Sequence, residues 1–318
     1  MKTIKTAYGL LKGVIGEAYD NQGNLRSCRL EEHSELITSV GKLIPRYKEI
    51  DVRTKYREAI CFYPSGKLKS VYLEHQMIIE TSLGLIEAEL ITFYETGSIH
   101  RIFPLYGQIS GYWSEEEEYQ LATCKSVTVG KVQLYNKISC YCFYPSGKVK
   151  SLTLWPKEVT SLNLAKDNYR LRIGIAFYEE GEVYSLEPAQ PIMIQTEIGE
   201  IMAYHNEAMG IHGDRNSLVF NKEEQIQSLI TTTTAIRIIN KEGTMQEIKP
   251  ELVRSFIDLD EWQLRAIKVE FEPDKVILTD AKGGIWTYEK EAYHFETRPI
   301  ALGMLGCKGG CKSCGKCR

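Results

Sequence analysis

The chain has 318 residues, 43% hydrophobic and 25% charged, with a net charge of −3. That composition excludes a disordered chain and leaves room for more than one core. Charges of both signs are interspersed and no apolar run reaches the ~18 residues of a membrane helix, so no nucleic-acid partner and no membrane partner is expected.

The basic start, Met1 to Tyr8, is followed by neither a long apolar segment nor a small-residue cleavage site, which points to a cytoplasmic protein with reduced cysteines. The 19 tyrosines against 9 phenylalanines suit sheets with one packed and one wet face. Along the chain, Phe62-Tyr63-Pro64-Ser65-Gly66-Lys67-Leu68 returns nearly unchanged as Phe143-Tyr144-Pro145-Ser146-Gly147-Lys148-Val149. Looser copies run Phe93 to Ile99 and Phe177 to Val183, with echoes at Tyr19 to Leu25 and Ile239 to Met245. A second signature, Thr-x-apolar-Gly-x-apolar, appears at Thr38 to Leu43, Thr81 to Ile86 and Thr196 to Ile201. Its glycines Gly41, Gly84 and Gly199 each lie 18 positions after Gly23, Gly66 and Gly181, the mark of a repeated two-hairpin unit; after Gly147 the matching position is Ala165.

Phe-Tyr-x-x-Gly-x-apolar reads as strand, tight turn and return strand, with glycine in the left-handed region closing a bulged hairpin. Phe and Tyr point to opposite faces, one ring packed and one partly solvated. One hairpin alone is marginal, so several must stack. The pattern resembles the MORN family, in particular its bacterial variant of aromatic-x-x-Asn-Gly-x-Leu hairpins, over roughly residues 10 to 220. The resemblance implies a fold of stacked hairpins; the tryptophan and second Gly-x-Gly of the standard MORN consensus are missing.

Beyond residue 222 the texture changes. Asn221 to Ile230 reads as a short helix or link, Ala235 to Ile248 as a hairpin about Glu242-Gly243, and Pro250 to Leu259 as the start of a helix. Ile267 to Phe271, Val276 to Thr279 and Ile285 to Tyr288 form a meander, with Asp280-Ala281-Lys282-Gly283-Gly284 a turn. The expected fold is mainly β: antiparallel hairpin repeats over 1–222, divisible near 1–125 and 126–222, a small α+β domain over 223–302, and a flexible basic tail over 303–318.

That tail holds Cys307, Cys311, Cys314 and Cys317, a C-x3-C-x2-C-x2-C array spaced by glycine and serine. Lys308, Lys312, Lys316 and Arg318 lower the thiol pKa values and offset the charge of a four-thiolate site, so the four cysteines are the candidate ligands of an iron-sulfur cluster or of zinc. With −3 for the whole chain and +4 for residues 307–318, the rest is left at −7. Cys28, Cys61, Cys124, Cys140 and Cys142 read as small buried hydrophobes. His205-Asn206-Glu207 with His212-Gly213-Asp214 and Arg215 reads as a surface loop, Glu115 to Glu118 as a solvated face, and no catalytic constellation is found. The expected function is therefore a non-enzymatic binding or adaptor protein with a protein partner and a metal-holding tail. The alternatives are a redox accessory or sensor using the tail thiols, and an immunity-type or scaffolding repeat protein with an incidental tail.

Overall fold

Eight turns of one geometry organise the chain. In each, the first residue's N–H donates to the fifth residue's carbonyl, and the fourth residue's N–H donates back to the first, as in Tyr63 N to Lys67 O at 2.8 Å and Gly66 N to Tyr63 O at 2.9 Å. The fourth residues are Gly23, Gly66, Gly97, Gly147, Gly181, Glu224, Gly243 and Gly283, all at positive φ. A register shift sits beside the turn at Phe62, Phe93, Phe143 and Phe220, which makes these bulged hairpins of the kind the glycine spacing predicts.

The structure, a computed structural model, describes residues 2–48, 51–54, 57–164, 167–206, 208, 213, 216–254 and 262–300. It is mostly β, with open antiparallel sheets and little helix. In chain order the elements are β1 (Lys2–Thr6), β2 (Gly9–Tyr19), β3 (Leu25–Leu30), β4 (Leu36–Thr38), β5 (Gly41–Leu43), β6 (Ile60–Phe62), β7 (Leu68–Thr81), β8 (Gly84–Phe93), β9 (Ile99–Phe103), α1 (Glu115–Leu121), β10 (Cys124–Val129), β11 (Val132–Phe143), β12 (Val149–Leu154), β13 (Val159–Leu164) and β14 (Asp167–Phe177). They continue as β15 (Val183–Pro188), β16 (Ile192–Thr196), β17 (Gly199–Ala203), β18 (Leu218–Phe220), β19 (Ile226–Thr231), β20 (Thr234–Asn240), β21 (Met245–Ile248), β22 (Glu251–Arg254), β23 (Trp262–Arg265), β24 (Ile267–Phe271), β25 (Lys275–Thr279), β26 (Ile285–Glu289) and β27 (Tyr293–Pro299).

The chain divides into two compact units, one of Met1–Thr160, Ile173–Glu182 and Gly210–Asp214, the other of Ser161–Arg172, Val183–Met209 and Arg215–Arg318. In the first unit the ladder runs β1-β2-β3-β6-β7-β8-β9-β11-β12 and ends on the Ile173–Phe177 half of β14, each strand antiparallel to the next. In the second it runs β15-β18-β19-β24-β25-β26, beside the smaller sheets β21-β20-β27, β16-β17 and β22-β23.

Four turns begin with tyrosine. The phenylalanine before each, Phe62, Phe93, Phe143 and Phe177, is buried, while the tyrosine stays half-buried. Its hydroxyl is not idle: Tyr63 donates to the Phe93 carbonyl, Tyr94 to Phe143 and Tyr144 to Phe177, all at 2.8 Å. Three successive hairpins of the first unit are thus each bolted to the following one by the residue that defines the repeat. The other four turns begin with Asp20, Asn221, Asn240 and Asp280, and here the side chain serves its own turn. Its Oδ1 accepts from the N–H groups two and four residues on, at 2.9 and 2.9 Å for Asp20 and at 2.9 and 2.8 Å for Asp280.

The threonine signature forms a second kind of hairpin. Thr6, Thr38, Thr81 and Thr196 donate Oγ1–H to the carbonyls of Gly9, Gly41, Gly84 and Gly199 at 2.6–2.9 Å. In the first unit the tips of these hairpins reach the bulged turns: Ser39 Oγ donates to Gly97 O at 2.7 Å, and Ser82 Oγ donates to Gly147 O at 2.8 Å. At the third such meeting Gly130 stands so near Gly181 that a Cβ would collide with its carbonyl. The long strands bend to pass from one hairpin type to the other. β7 carries extra residues between Tyr72 and Met77, and the buried set of β8 changes phase there, from Ile86 and Ala88 to Ile91 and Phe93.

The segment read as a short helix or link is a turn leading into β19, and the one read as the start of a helix is a strand. Asn221 to Gln225 is the sixth bulged turn, with Glu224 at φ 61° where other copies carry glycine. Where the helix expected from Pro250 would begin, Glu251–Arg254 is instead β22, with Leu252 opposite Leu264 of β23. So short a helix would have to nucleate unaided, whereas a paired strand satisfies its backbone at once; residues 255–261 lie outside the described residues.

The ladder makes a quantitative prediction for urea unfolding. Tyr144→Phe should cost about 1 kcal/mol, the net value of one hydrogen bond whose acceptor is left unpaired. Gly147→Ala, which meets no steric obstacle but holds φ at 86°, should cost about 1–2 kcal/mol for the left-handed conformation alone. Equal stability of Tyr144→Phe and the parent chain would remove the ladder from the account of stability.

Candidate functional site

Cys307, Cys311, Cys314 and Cys317 lie outside the described residues, as do Glu207, His212, Asp214 and Arg215. Among the described residues no group of three or more His, Cys, Asp or Glu side chains is placed to hold a metal. The other cysteines form no disulfide: Cys28, Cys140 and Cys142 are buried, Cys61 is half-buried, and Cys124, read from sequence as buried, is exposed. Burial, reinforced by neighbouring Cys61, pushes the Cys28 thiol up to about 12, so it is inert at neutral pH.

His205 takes part in a buried polar group of the second unit through its main chain. The Arg172 guanidinium donates to His205 O at 2.9 Å and to Pro188 O at 3.2 Å and stacks on Tyr204 at 4.9 Å. Glu187, almost wholly buried, accepts from Ser217 N at 2.8 Å and lies 3.8 Å from Arg172. Burial raises the Glu187 carboxyl; Ser217 and Arg172 oppose this without cancelling it. The arrangement orders main chain around a buried acid. Gly213 belongs to the first unit, where its N–H donates to Thr153 Oγ1 at 2.7 Å and it packs against Gly174.

The acidic run Glu115 to Glu118 forms the first turn of α1, with Ser114 and Glu117 as a capping box. It is not a wholly solvated face. Glu118 is 3% exposed and receives Arg53 Nε at 2.8 Å, Arg53 Nη2 at 2.7 Å, the Trp113 indole at 2.7 Å and Gly107 N at 2.6 Å. The same guanidinium grips Glu89 at 2.8 and 2.7 Å, and Glu89 accepts from Tyr106 N at 2.8 Å. One arginine therefore ties three distant stretches of chain, residues 53, 89 and 106–118, into a knot. Burial alone would raise the Glu118 carboxyl, but the four donors outweigh it and hold it below the ordinary carboxylate range. The Asp280 segment is the expected turn, with its Oδ2 accepting from the Trp286 indole at 3.0 Å.

One feature escapes sequence reasoning because it depends on which face each strand turns inward. Three threonine-type hairpins and the β10-β11 hairpin bury one apolar residue and expose its neighbour: Leu11 and Leu10, Leu36 and Ile37, Ile86 and Leu85, Leu134 and Tyr135. Leu85 is 70% and Tyr135 72% exposed. Lone exposed apolar residues are ordinary, but here the exposure recurs in several hairpins of one unit, with Leu10 and Leu85 each directly after the turn glycine.

Among known proteins, the chain matches no family model, no curated protein and no solved structure. No described helix is long and apolar enough to cross a membrane.

The arginine knot sets a pH dependence. A carboxyl with a lowered folded pKa contributes stability that is complete above its unfolded value and is lost as pH falls through the folded one. The contribution of Glu118 should therefore start to fall as pH drops through the ordinary carboxylate range and be gone below its lowered folded value. Arg53→Ala, by stranding two partly buried carboxylates, should cost about 3–5 kcal/mol near neutral pH, and its stability should recover relative to the parent as pH falls and the Glu118 carboxyl is protonated. Circular dichroism melts across acid pH measure both, and a pH-independent difference would contradict the assignment.

Proposed function

We propose that this chain is a non-catalytic binding protein whose hairpin scaffold engages a protein partner and whose cysteine tail holds a zinc ion or an iron-sulfur cluster. The observation that carries the metal reading is the array of Cys307, Cys311, Cys314 and Cys317 among Lys308, Lys312, Lys316 and Arg318. Four thiolates at these spacings repel one another unless a cation gathers them, and the adjoining positive charges favour the deprotonated form that binds metal. The partner reading is supported by the outward residues Ile37, Leu85 and Tyr135, which supply apolar anchors on a scaffold fixed by its own ladders. The likeness of the hairpins to MORN variants supports the same scaffold role.

Anaerobic purification followed by iron, zinc and sulfide analysis and a visible spectrum tests the tail. Brown colour with iron and sulfide, or stoichiometric zinc, is expected in the parent and should vanish when all four cysteines are changed to serine. A colourless parent that neither contains nor takes up either metal overturns this reading and leaves thiol redox chemistry as the alternative. For the scaffold, Leu85→Glu with Tyr135→Glu should leave the melting temperature within a few degrees while removing a defined set of cross-linked partners. An unchanged cross-linking pattern would exclude that face.

A further inference from the structure

Several tyrosine hydroxyls of the first unit bond within it, although the buried hydroxyls of Thr92 and Ser151 do not. Tyr63, Tyr94 and Tyr144 bond to carbonyls of the next hairpin, Tyr72 to Tyr106 O at 3.0 Å, and Tyr119 to Glu158 at 2.8 Å. Tyr141 breaks the pattern. It sits on β11 between Ile102 of β9 and Leu152 of β12, is 2% exposed, and makes no side-chain hydrogen bond among the described residues. Its hydroxyl is not one of the sealed, unbonded side-chain atoms, so it meets a space that water or a ligand can enter.

That space is a recess of about 220 Å³ within the first unit, which Tyr141 lines. Trp155, 8% exposed, lines the same recess, and its indole N–H likewise has no partner; the indoles of Trp113 and Trp286 are both bonded. Two donors on mostly buried side chains thus open onto one recess without a bond to the protein.

The remaining wall fixes the chemistry of an occupant. Glu87 and Lys125 line it as an ion pair at 2.6 Å, so the wall is neutral overall and offers both signs side by side. A ligand of one net charge would leave one member of that pair opposed. A zwitterion satisfies both, with its ammonium toward Glu87 and its carboxylate toward Lys125 and the two free donors. Leu121 and Ile138 supply apolar surface for a side chain. At ~30 Å³ per water the recess has room for about seven waters, which admits a small metabolite and excludes a nucleotide. Burial, with the charge of Glu87 adding to it, raises the Tyr141 phenol, so the group stays protonated and can donate.

We infer that this recess is a binding site for a small α-amino acid with an apolar side chain, held by Glu87, Lys125, Tyr141 and Trp155.

Isothermal titration of the full chain with leucine and with phenylalanine, against the matching amines and the matching carboxylic acids, tests this. An amino acid should bind at millimolar or lower concentration, and each single-charge analogue should bind at least about tenfold more weakly, the worth of one lost charged contact of ~1.4 kcal/mol. Tyr141→Phe should weaken the amino acid severalfold while leaving the melting temperature within a few degrees, because the hydroxyl makes no bond within the protein. Ala122→Trp, which fills the recess from its rim, should abolish binding. Absence of binding by every probe at millimolar concentration, with water alone filling the space, overturns the inference. An amine or acid that binds as tightly as the amino acid also overturns it, as does full affinity in Tyr141→Phe.

Discussion

The bond from one hairpin's tyrosine hydroxyl to the next hairpin's phenylalanine carbonyl is the interaction on which the first unit depends. A bulged turn is attractive because it reverses the chain in few residues, but the bulge takes one residue out of the regular ladder. The shift falls at Phe93 and Phe143, and the carbonyls of those residues receive Tyr63 and Tyr94. The device that closes each hairpin creates a need for a donor, and the preceding hairpin supplies it. An aromatic ring with a hydroxyl at its far end suits this: the ring packs along the edge of the turn and the polar tip spans to the neighbour.

The same turn is built with a different first residue where no such reach is made. Asp20, Asn221, Asn240 and Asp280 fold their side chains back on their own N–H groups. The two chemistries divide the labour: tyrosine stabilises the stack, and Asp or Asn stabilises the single turn. The three tyrosine bonds lie in the first unit, while three of the four Asx turns lie in the second. This also accounts for the tolerance of Glu224 at positive φ, since Asn221 grips the turn through two backbone bonds at 3.1 and 2.8 Å.

What the sequence showed and what it hid follow from the range of the interactions involved. Phe-Tyr-x-x-Gly and Thr-x-apolar-Gly are local instructions, complete within five residues, and the spacing of 18 between their glycines is filled by the one long strand β7 in Gly66–Gly84 and by two shorter strands in Gly23–Gly41 and Gly181–Gly199. Thr6 to Gly9 escaped because Tyr8 fills the apolar position, and Asn221 to Gln225 escaped because Glu224 hides the glycine mark; comparison with Asn240 and Asp280 at the first position would have found it. The arginine knot has no local signature at all. Arg53 meets Glu118 across 65 residues and Glu89 across 36, and nothing in a run of four glutamates says that the fourth is the buried one. The recess is equally silent in sequence, being defined by side chains from β7, β8, β10 and β11 and the connections between them.

The ladder tyrosines use their hydroxyls within the protein, and Tyr141 does not: its hydroxyl is unbonded but opens on a space. Phenylalanine in place of Tyr141 would fill the same slot between β9 and β12 and lose no bond within the protein. In the ladder the hydroxyl of tyrosine is what each hairpin needs; at Tyr141 the fold does not use it, and the one group that can is whatever occupies the space beside Glu87, Lys125 and Trp155. The reasoning that explains the repeats, that a buried donor must meet an acceptor, thereby separates residues that hold the molecule together from residues left to hold something else.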